Sequence, residues 1–351
     1  MRNIVISVIL TFSALFNQNA TSQENKLNQF SDEKEWIFSS DEYDGVEIHN
    51  RHGDIIISPS RGDTLAINVI ISVESDSRES ADEVLKKIEI NNSKNEGRAY
   101  FRTSFSEDFY SNYAFKITYE VLVPVKNTLK LNNQFGDIRL ASPTTSLDIT
   151  LKYGNLSHES AVPIDTVRGS LSFVKAGLNK TKVCELDLNN TDIEIQEVDK
   201  GTFTGQYYQL DIADADLAEF KGKTTRLNIS KINEINIDGD FCFASIEKIQ
   251  EAGQIEITNG MLIIGGVSNR LKELSIANSN APVNLTLPES LTYNLHGEVT
   301  NGQFIHYNRK MFRIVDDHEK TSFSGSNSDD KESASIVLFN ENAGINIKNK
   351  K

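Results

Sequence analysis

The residues best suited to chemistry fall in a few short clusters. His49-Asn50-Arg51-His52-Gly53-Asp54 holds three metal-ligand side chains within six positions. Its histidines are three apart, so on a strand they face opposite sides, and only a tight turn would converge them. Asp211, Asp214 and Asp216 form the densest carboxylate group, with Asp214 and Asp216 on one face if a strand runs through them. With Arg226 or Lys231 nearby, such carboxylates could hold Ca²⁺ or work as acid and base on an acidic polysaccharide. A solvated acidic face is the plainer account. Arg61-Gly62-Asp63 matches an adhesion tripeptide, but Gly-Asp is also ordinary turn chemistry. Phe135, Tyr153, Tyr207 and Tyr208 could form an outer aromatic strip of the kind that binds sugars. Inward packing is equally open to Phe135 and Tyr153.

Stronger catalytic patterns do not occur. There is no Gly-x-Ser-x-Gly elbow, no His-Glu-x-x-His, no phosphate-binding glycine loop ahead of a helix and no paired Cys-x-x-Cys. No catalytic, cofactor-binding or metal residue is therefore assigned, and no cofactor is expected.

The elements that must position these residues are short strands in a repeat. Between residues 129 and 287 one phrase recurs: an alternating apolar pair, an Asn or polar position, a small turn, and a second apolar strand. Its first strands start at Leu129, Leu147, Leu171, Leu186, Leu210, Leu227, Ile255 and Leu274. They lie about 21 residues apart on average, a period that marks stacked repeats. A lone strand of this length cannot bury its apolar face, whereas stacked coils bury alternate Leu and Ile side chains as internal columns. Asn133, Asn190, Asn259 and Asn278 are expected at equivalent corners, where stacked amides can bond to one another. Gly136, Gly154, Gly177 and Gly260 are expected where the chain turns sharply, with positive φ. The expected fold is all-β: a right-handed parallel β-solenoid core over 126–290.

The flanks extend it. Residues 23–125 read as a strand-rich region with one helix near 77–88, in which Ala81, Val84, Leu85 and Ile88 share a face. Ser80 with Glu83 has capping-box spacing, and Ser77 is an alternative cap. Residues 291–351 read as a C-terminal strand cap and tail, and residues 336–347 echo the core phrase. Residues 1–22 read as a signal peptide: Arg2, an apolar run over 4–16 too short to span a bilayer, and small residues for cleavage after Ala20 or Ser22. The expected location is exported, in the periplasm or at the cell surface. There Cys184 and Cys242 could pair, but in a solenoid they sit two or three coils apart, beyond bridging range. Two separate buried thiols are expected.

The formal net charge of −14 disfavours nucleic acid and anionic lipid as partners. No later stretch is apolar enough for a transmembrane helix. The Gly-Asp-Ile phrases at 50–57 and 133–140, with the strand at 153–156 and the signal peptide, resemble a secreted bacterial group, the putative-adhesin β-strand-repeat family abundant in Bacteroidetes. The resemblance implies a β-solenoid fold and supplies no catalytic residues. The expected role is a non-enzymatic secreted or envelope protein, adhesin-like or structural, whose partner is a surface protein or glycan. The alternatives are a β-helix lyase or hydrolase using the Asp211–Asp216 cluster, and an envelope stress or signalling accessory.

Overall fold

The computed structural model describes residues 27–124, 127–142, 144–328 and 332–350. The expected signal peptide lies outside them. The described residues are all-β apart from one α-helix and two short 3-10 turns, and the chain divides between Val162 and Pro163 into two compact units.

The first unit holds β1 (Asn28–Ser39), β2 (Gly45–Arg51), β3 (Ile55–Pro59), β4 (Thr64–Ser75), α1 (Arg78–Leu85), β5 (Ile88–Asn95), β6 (Arg98–Phe105), β7 (Phe115–Val123), β8 (Thr128–Gln134), β9 (Ile138–Leu140) and β10 (Ser146–His158). Strand pairs joined by a corner act as coils, and they stack in parallel. β2 and β3 pair with β8 and β9 on one side and with β6 and β7 on the other. β10 lies in parallel on β8 and β9. The remaining strands are antiparallel: β1 on β4, β4 on β7, and β5 on β6. Helix α1 joins β4 to β5. Ser77 caps it, its hydroxyl accepting the Ser80 N–H at 3.2 Å. Ser80 is therefore inside the helix rather than at its cap. Ala81 and Val84 are its buried residues, and Ile88 begins the next strand.

The second unit opens with β11 (Ile164–Ile264), an extended stretch of 101 residues. A straight strand of that length would run roughly 330 Å, so it must fold back on itself. It does so at single residues with positive φ: Phe173, Asn190, Tyr207, Thr224 and Phe241, at strict intervals of 17, then Asn259. The buried side chains three and five residues past each corner form columns: Ala176, Ile193, Leu210, Leu227 and Ala244, then Leu178, Ile195, Ile212, Ile229 and Ile246. Fully burying a Leu or Ile contributes about 1.5–3 kcal/mol.

After β11 come β12 (Glu273–Ser279), β13 (Val283–Pro288), β14 (Tyr293–Thr300), β15 (Phe304–His306), β16 (Arg313–Asp317), β17 (Lys320–Ser326), β18 (Ala334–Glu341) and β19 (Ile345–Lys350). The stacking order is not the chain order. β18 and β19 are intercalated: they pair in parallel with β12 and β13 on one side and with β14 and β15 on the other. β17 and β16 add antiparallel strands beyond β14.

Two expectations are thus corrected. The sheet is mixed rather than purely parallel, because antiparallel strands are added to the parallel ladders in both units. The period in β11 is 17, not about 21. Leu210 and Leu227 lie three residues after a corner, whereas Leu129 and Leu147 lie six before one. The apolar phrase therefore falls on two different sides of the coil. The strands that precede the missed corners read Gly-Thr-Phe-Thr-Gly and Ala-Glu-Phe-Lys-Gly, with Phe203 and Phe220 in the column that Leu186 opens.

Corner chemistry also differs from expectation. At Phe135-Gly136 and Tyr153-Gly154 the aromatic residue takes the positive φ, and neither glycine does. These glycines are needed for close approach: a Cβ on Gly136 would lie 2.1 Å from the Gly53 carbonyl oxygen, and one on Gly154 would lie 2.1 Å from that of Gly136. Gly260 does take a positive φ, and Gly177 has open space. The four asparagines fall at two positions. Asn190 and Asn259 are the positive-φ residues, whereas Asn133 and Asn278 lie two residues before one and are buried. The buried amides bind backbone rather than each other. Asn133 Nδ2 donates to the Gly53 carbonyl at 2.9 Å, in the adjacent coil, and Asn278 Oδ1 accepts the Ile257 N–H at 3.0 Å. An amide rung does form between the corner residues Asn301 and Asn342, at 2.9 Å.

The Gly-Asp phrase acquires a physical meaning here. Asp54 Oδ1 accepts the Asp137 N–H at 3.0 Å, and Asp137 Oδ1 accepts the Asn155 N–H at 2.9 Å. Each aspartate so caps the corner of the next coil. Gly136→Ala should cost about 1–3 kcal/mol of stability, because backbone rather than a movable side chain blocks the new methyl. Gly177→Ala should stay within about 0.5 kcal/mol of wild type. Urea unfolding of both variants checks this.

Candidate functional site

A corner residue with positive φ has its side chain outside the coil. In the first unit these residues are His52, Phe135 and Tyr153. Their rings stack: His52 on Phe135 at 5.2 Å between centroids and 12° between planes, and Phe135 on Tyr153 at 5.1 Å and 10°. Phe105 and Phe115 pack edge-on against His52, and Phe109 against both of them. Phe135 is 41% exposed and Tyr153 46%. Burial, and then the charge of Arg51, hold the His52 pKa below 6.5, so at pH 7 the stack is neutral.

In the second unit the same corner carries Phe173, Tyr207 and Phe241, about half exposed. Asn190 and Thr224 alternate with them. Tyr208, next to Tyr207, is buried instead. Gly222 in the following coil makes room for its ring: a Cβ there would lie 2.9 Å from the Tyr208 hydroxyl. Of the four aromatics singled out in the sequence, Phe135, Tyr153 and Tyr207 are outside and Tyr208 is inside. His52, Phe173 and Phe241 were missed. The signal that finds the last of these is Gly-x-aromatic, with Gly205 before Tyr207 and Gly239 before Phe241.

The left-handed region is costly for these residues. A side chain with Cβ pays roughly 1–2 kcal/mol there, while Asn is tolerated because its short amide bonds locally. The chain uses Asn at the same position in Asn190, Asn259, Asn280, Asn301 and Asn342.

The other candidates go elsewhere. His49 turns to Glu47 at 2.8 Å, His52 joins the stack, and Asp54 binds Lys116 at 2.9 Å. Burial alone would raise the Asp54 pKa, but the Asp137 N–H and Lys116 outweigh it and hold the carboxylate below its usual range. Among the described residues no group of three or more His, Cys, Asp or Glu could hold a metal ion. Arg61-Gly62-Asp63 is an exposed turn between β3 and β4. The aspartate cluster splits. Asp211 bonds Asn228 at 2.6 Å, Asp214 bonds Lys231 at 2.6 Å, and Asp216 bonds Asn233, each partner being one coil on. Asp211 lines a groove with Glu194, Gln196, Asn228, Ser245 and Glu247, interleaved with Ile195, Ile212 and Ile229. Cys184 and Cys242 are both buried and free, and burial raises both thiols.

His306 is the histidine most shifted from its ordinary range. Its Nδ1 accepts the Asn308 N–H at 2.9 Å, so Nε2 carries the proton and donates to the Tyr293 hydroxyl at 3.0 Å. Burial pushes its pKa down to about 4. No nucleophile or carboxylate is among these partners, and the arrangement is a packed aromatic end with Phe304, Phe312 and Phe323.

No protein-family model matches the chain, and no curated protein matches it. Solved structures do. A putative adhesin from Parabacteroides merdae is 9% identical, with 93% of this chain and 98% of that one covered and a TM-score of 0.36. A putative adhesin from Parabacteroides distasonis is 8% identical, covering 90% and 96%, with a TM-score of 0.36. A putative cell adhesion protein from Clostridium sporogenes is 13% identical, covering 92% and 100%, with a TM-score of 0.21. These neighbours are putative adhesins, the group that the sequence resembles. No helix among the described residues is long and apolar enough to cross a membrane.

The unfolded chain takes up protons below pH 6.5 that folded His306 refuses until about pH 4. Its contribution is therefore complete above the unfolded value and drains as pH falls. The melting temperature should drop between pH 6.5 and 5, above the carboxylate range, and the drop should be shallower in His306→Gln. Thermal melts across that window check it.

Proposed function

We propose that this chain is an exported, non-enzymatic envelope protein with an adhesin-like role, binding a surface ligand along its corner aromatics. In this reading residues 1–22 direct export. Residues 126–290 form the core of a right-handed parallel β-solenoid, flanked by 23–125 and 291–351. The ligand is a surface protein or glycan.

One observation carries the proposal. Phe135, Tyr153, Phe173, Tyr207 and Phe241 are exposed aromatics on left-handed backbone. At the equivalent position Asn190, Asn259 and Asn280 complete the corner at lower backbone cost. The corner backbone does not require a ring there, and strained positions kept against backbone preference are characteristic of binding surfaces. Side chains with a flat apolar face and few rotatable bonds are also those that anchor recognition at low entropic cost.

The test replaces the aromatics by the residue that the corner itself accepts. Phe241→Asn should hold or raise stability, by up to about 1 kcal/mol. The combined Phe135→Asn, Tyr153→Asn, Tyr207→Asn and Phe241→Asn protein should lose at least tenfold in binding to isolated cell-envelope material in a sedimentation assay. Unchanged binding by that folded variant, with loss on Asp211→Asn and Glu194→Gln, would move the site to the groove around Asp211 and overturn the proposal.

A further inference from the structure

The strands that follow the corners of the second unit present one sheet face to solvent. Past Phe241 the corners stack in the order Asn259, Asn280, Asn342 and Asn301. Two residues after each corner, the outward position reads Lys175, Asp192, Gln209 and Arg226, then Phe243 and Met261. The Gly265 N–H donates to the Ile246 carbonyl at 2.8 Å, a register that sets Met261 beside Phe243 and Ile263 beside Ser245. Phe243 is 51% exposed, Ile263 40% and Met261 36%. These three apolar side chains line a groove with Arg226, Asn228 and Ser245. A row that is polar in the earlier coils thus turns apolar at the middle of the face.

Opposite charges flank that apolar centre at equal distances. Two coils before Phe243, Asp211 lies in the groove that also holds Glu194 and Glu247. Its side-chain partners, Gln209 at 3.0 Å and Asn228 at 2.6 Å, are neutral amides, so they leave its charge unbalanced. Two coils past Met261, β19 carries the exposed Lys348, in register with Thr286 of β13. An acidic arm, an apolar centre and a basic arm in one line are complementary to the same surface turned over. We infer that this face joins two copies of the chain in a two-fold dimer. The axis runs along the strands, between the coils of Phe243 and Met261. Rotation about it reverses the order of coils and keeps the strand direction. Phe243 of one copy then meets Met261 of the other, Ser245 meets Ile263, and Asn228 meets Asn284. Asp211 meets Asn346, which brings the neighbouring Lys348 over the acidic groove.

Size and packing agree with this occupant. The nine corners from Phe173 to Asn301 give eight strand spacings, and with about six residues of each strand the face measures roughly 40 by 20 Å. That matches the ~800 Å² per partner of a standard interface. Two sheets with strands running the same way is also the aligned form of sheet packing. Because strand direction is kept, the corner columns of both copies lie along one side of the dimer. The inference goes beyond the proposed binding role and stands without it. Where both hold, two columns side by side add avidity to each contact.

Sedimentation velocity on the full chain across the micromolar range tests it, and a concentration-dependent dimer is expected. Ile263→Glu should weaken that dimer at least tenfold while the monomer keeps its melting temperature. Lys348→Glu should weaken it as well, and adding Asp211→Lys to the same chain should restore it, because each exchanged arm meets its counterpart. A second measurement reads the register directly. A mixture of Asn228→Cys and Asn284→Cys proteins, treated with a short bismaleimide, should give a cross-linked dimer that neither protein gives alone. Three coils separate these positions within one copy, and the native Cys184 and Cys242 are buried. A monomer at every concentration overturns the inference, whether or not the face takes another protein. So does a dimer that tolerates both Ile263→Glu and Lys348→Glu, a folded charge exchange that fails to restore association, or cross-linking as strong in the single variants as in the mixture. All of this is read without envelope material, so envelope binding by the corner variants bears on the proposed function alone.

Discussion

The fold depends on one backbone constraint. At each corner a single residue must enter the left-handed region while the coil beside it lies one strand spacing away. The second half of that constraint removes side chains, as at Gly136 and Gly154, whose missing Cβ atoms admit a neighbouring carbonyl. The first half throws a side chain outward. Between corners the strands are free to alternate, and they fill the interior with Leu and Ile columns. The buried corner polar groups are satisfied from the neighbouring coil, as Asn133 shows with Gly53 and Asp54 with Asp137. A corner therefore cannot be built alone, because each is completed by the next.

The same step of 17 organises the outer charges. Arg168 meets Glu185 at 2.7 Å, Lys182 meets Asp165 at 2.7 Å, Lys180 meets Glu197, and Lys231 meets Asp214 at 2.6 Å. All are exposed, and each such pair is worth at most about 1 kcal/mol. Their use lies in register more than in energy. A coil slipped by one residue would set Arg168 against Cys184 or Leu186 and Lys231 against Ala213 or Ala215, and would also turn its Leu column outward. The acidic excess over the whole chain keeps such surfaces apart from other polyanions.

Much of this was legible in the residues. Alternating Leu and Ile gave strands, the recurring phrase gave stacked repeats, and the isolation of Cys184 from Cys242 followed from stacking alone. The corner was not legible, for a physical reason. Positive φ is normally a glycine signature, and here glycine often sits beside the left-handed residue, excluded from it by the approach of another coil. Phe173 and Phe241 read as ordinary β-formers, and Tyr207 and Tyr208 read as a pair, although a one-residue difference puts one outside and the other inside. The period was blurred because Phe203 and Phe220 fill the column that Leu186 occupies, between glycines that hide the strand. The aspartate cluster misled by proximity in sequence. Each member is bonded one coil away instead, Asp214 to the Lys231 ammonium and Asp211 and Asp216 to the amides of Asn228 and Asn233.

The intercalation of β18 and β19 has a consequence for timing. Stacked repeats ordinarily grow by accretion, each coil templating its successor. Here β14 and β15 emerge before the strands that connect them to β13, so accretion stalls after β13 with two open ladders facing each other. The second unit can close only when residues 334–350 enter that gap, a wedge some 60 residues distant in sequence from one of its partners. Closure of this kind is slow, since long-range pairing must precede its reward. A chain in this condition is threadable until its final coil arrives, and locked on both flanks of that coil afterwards.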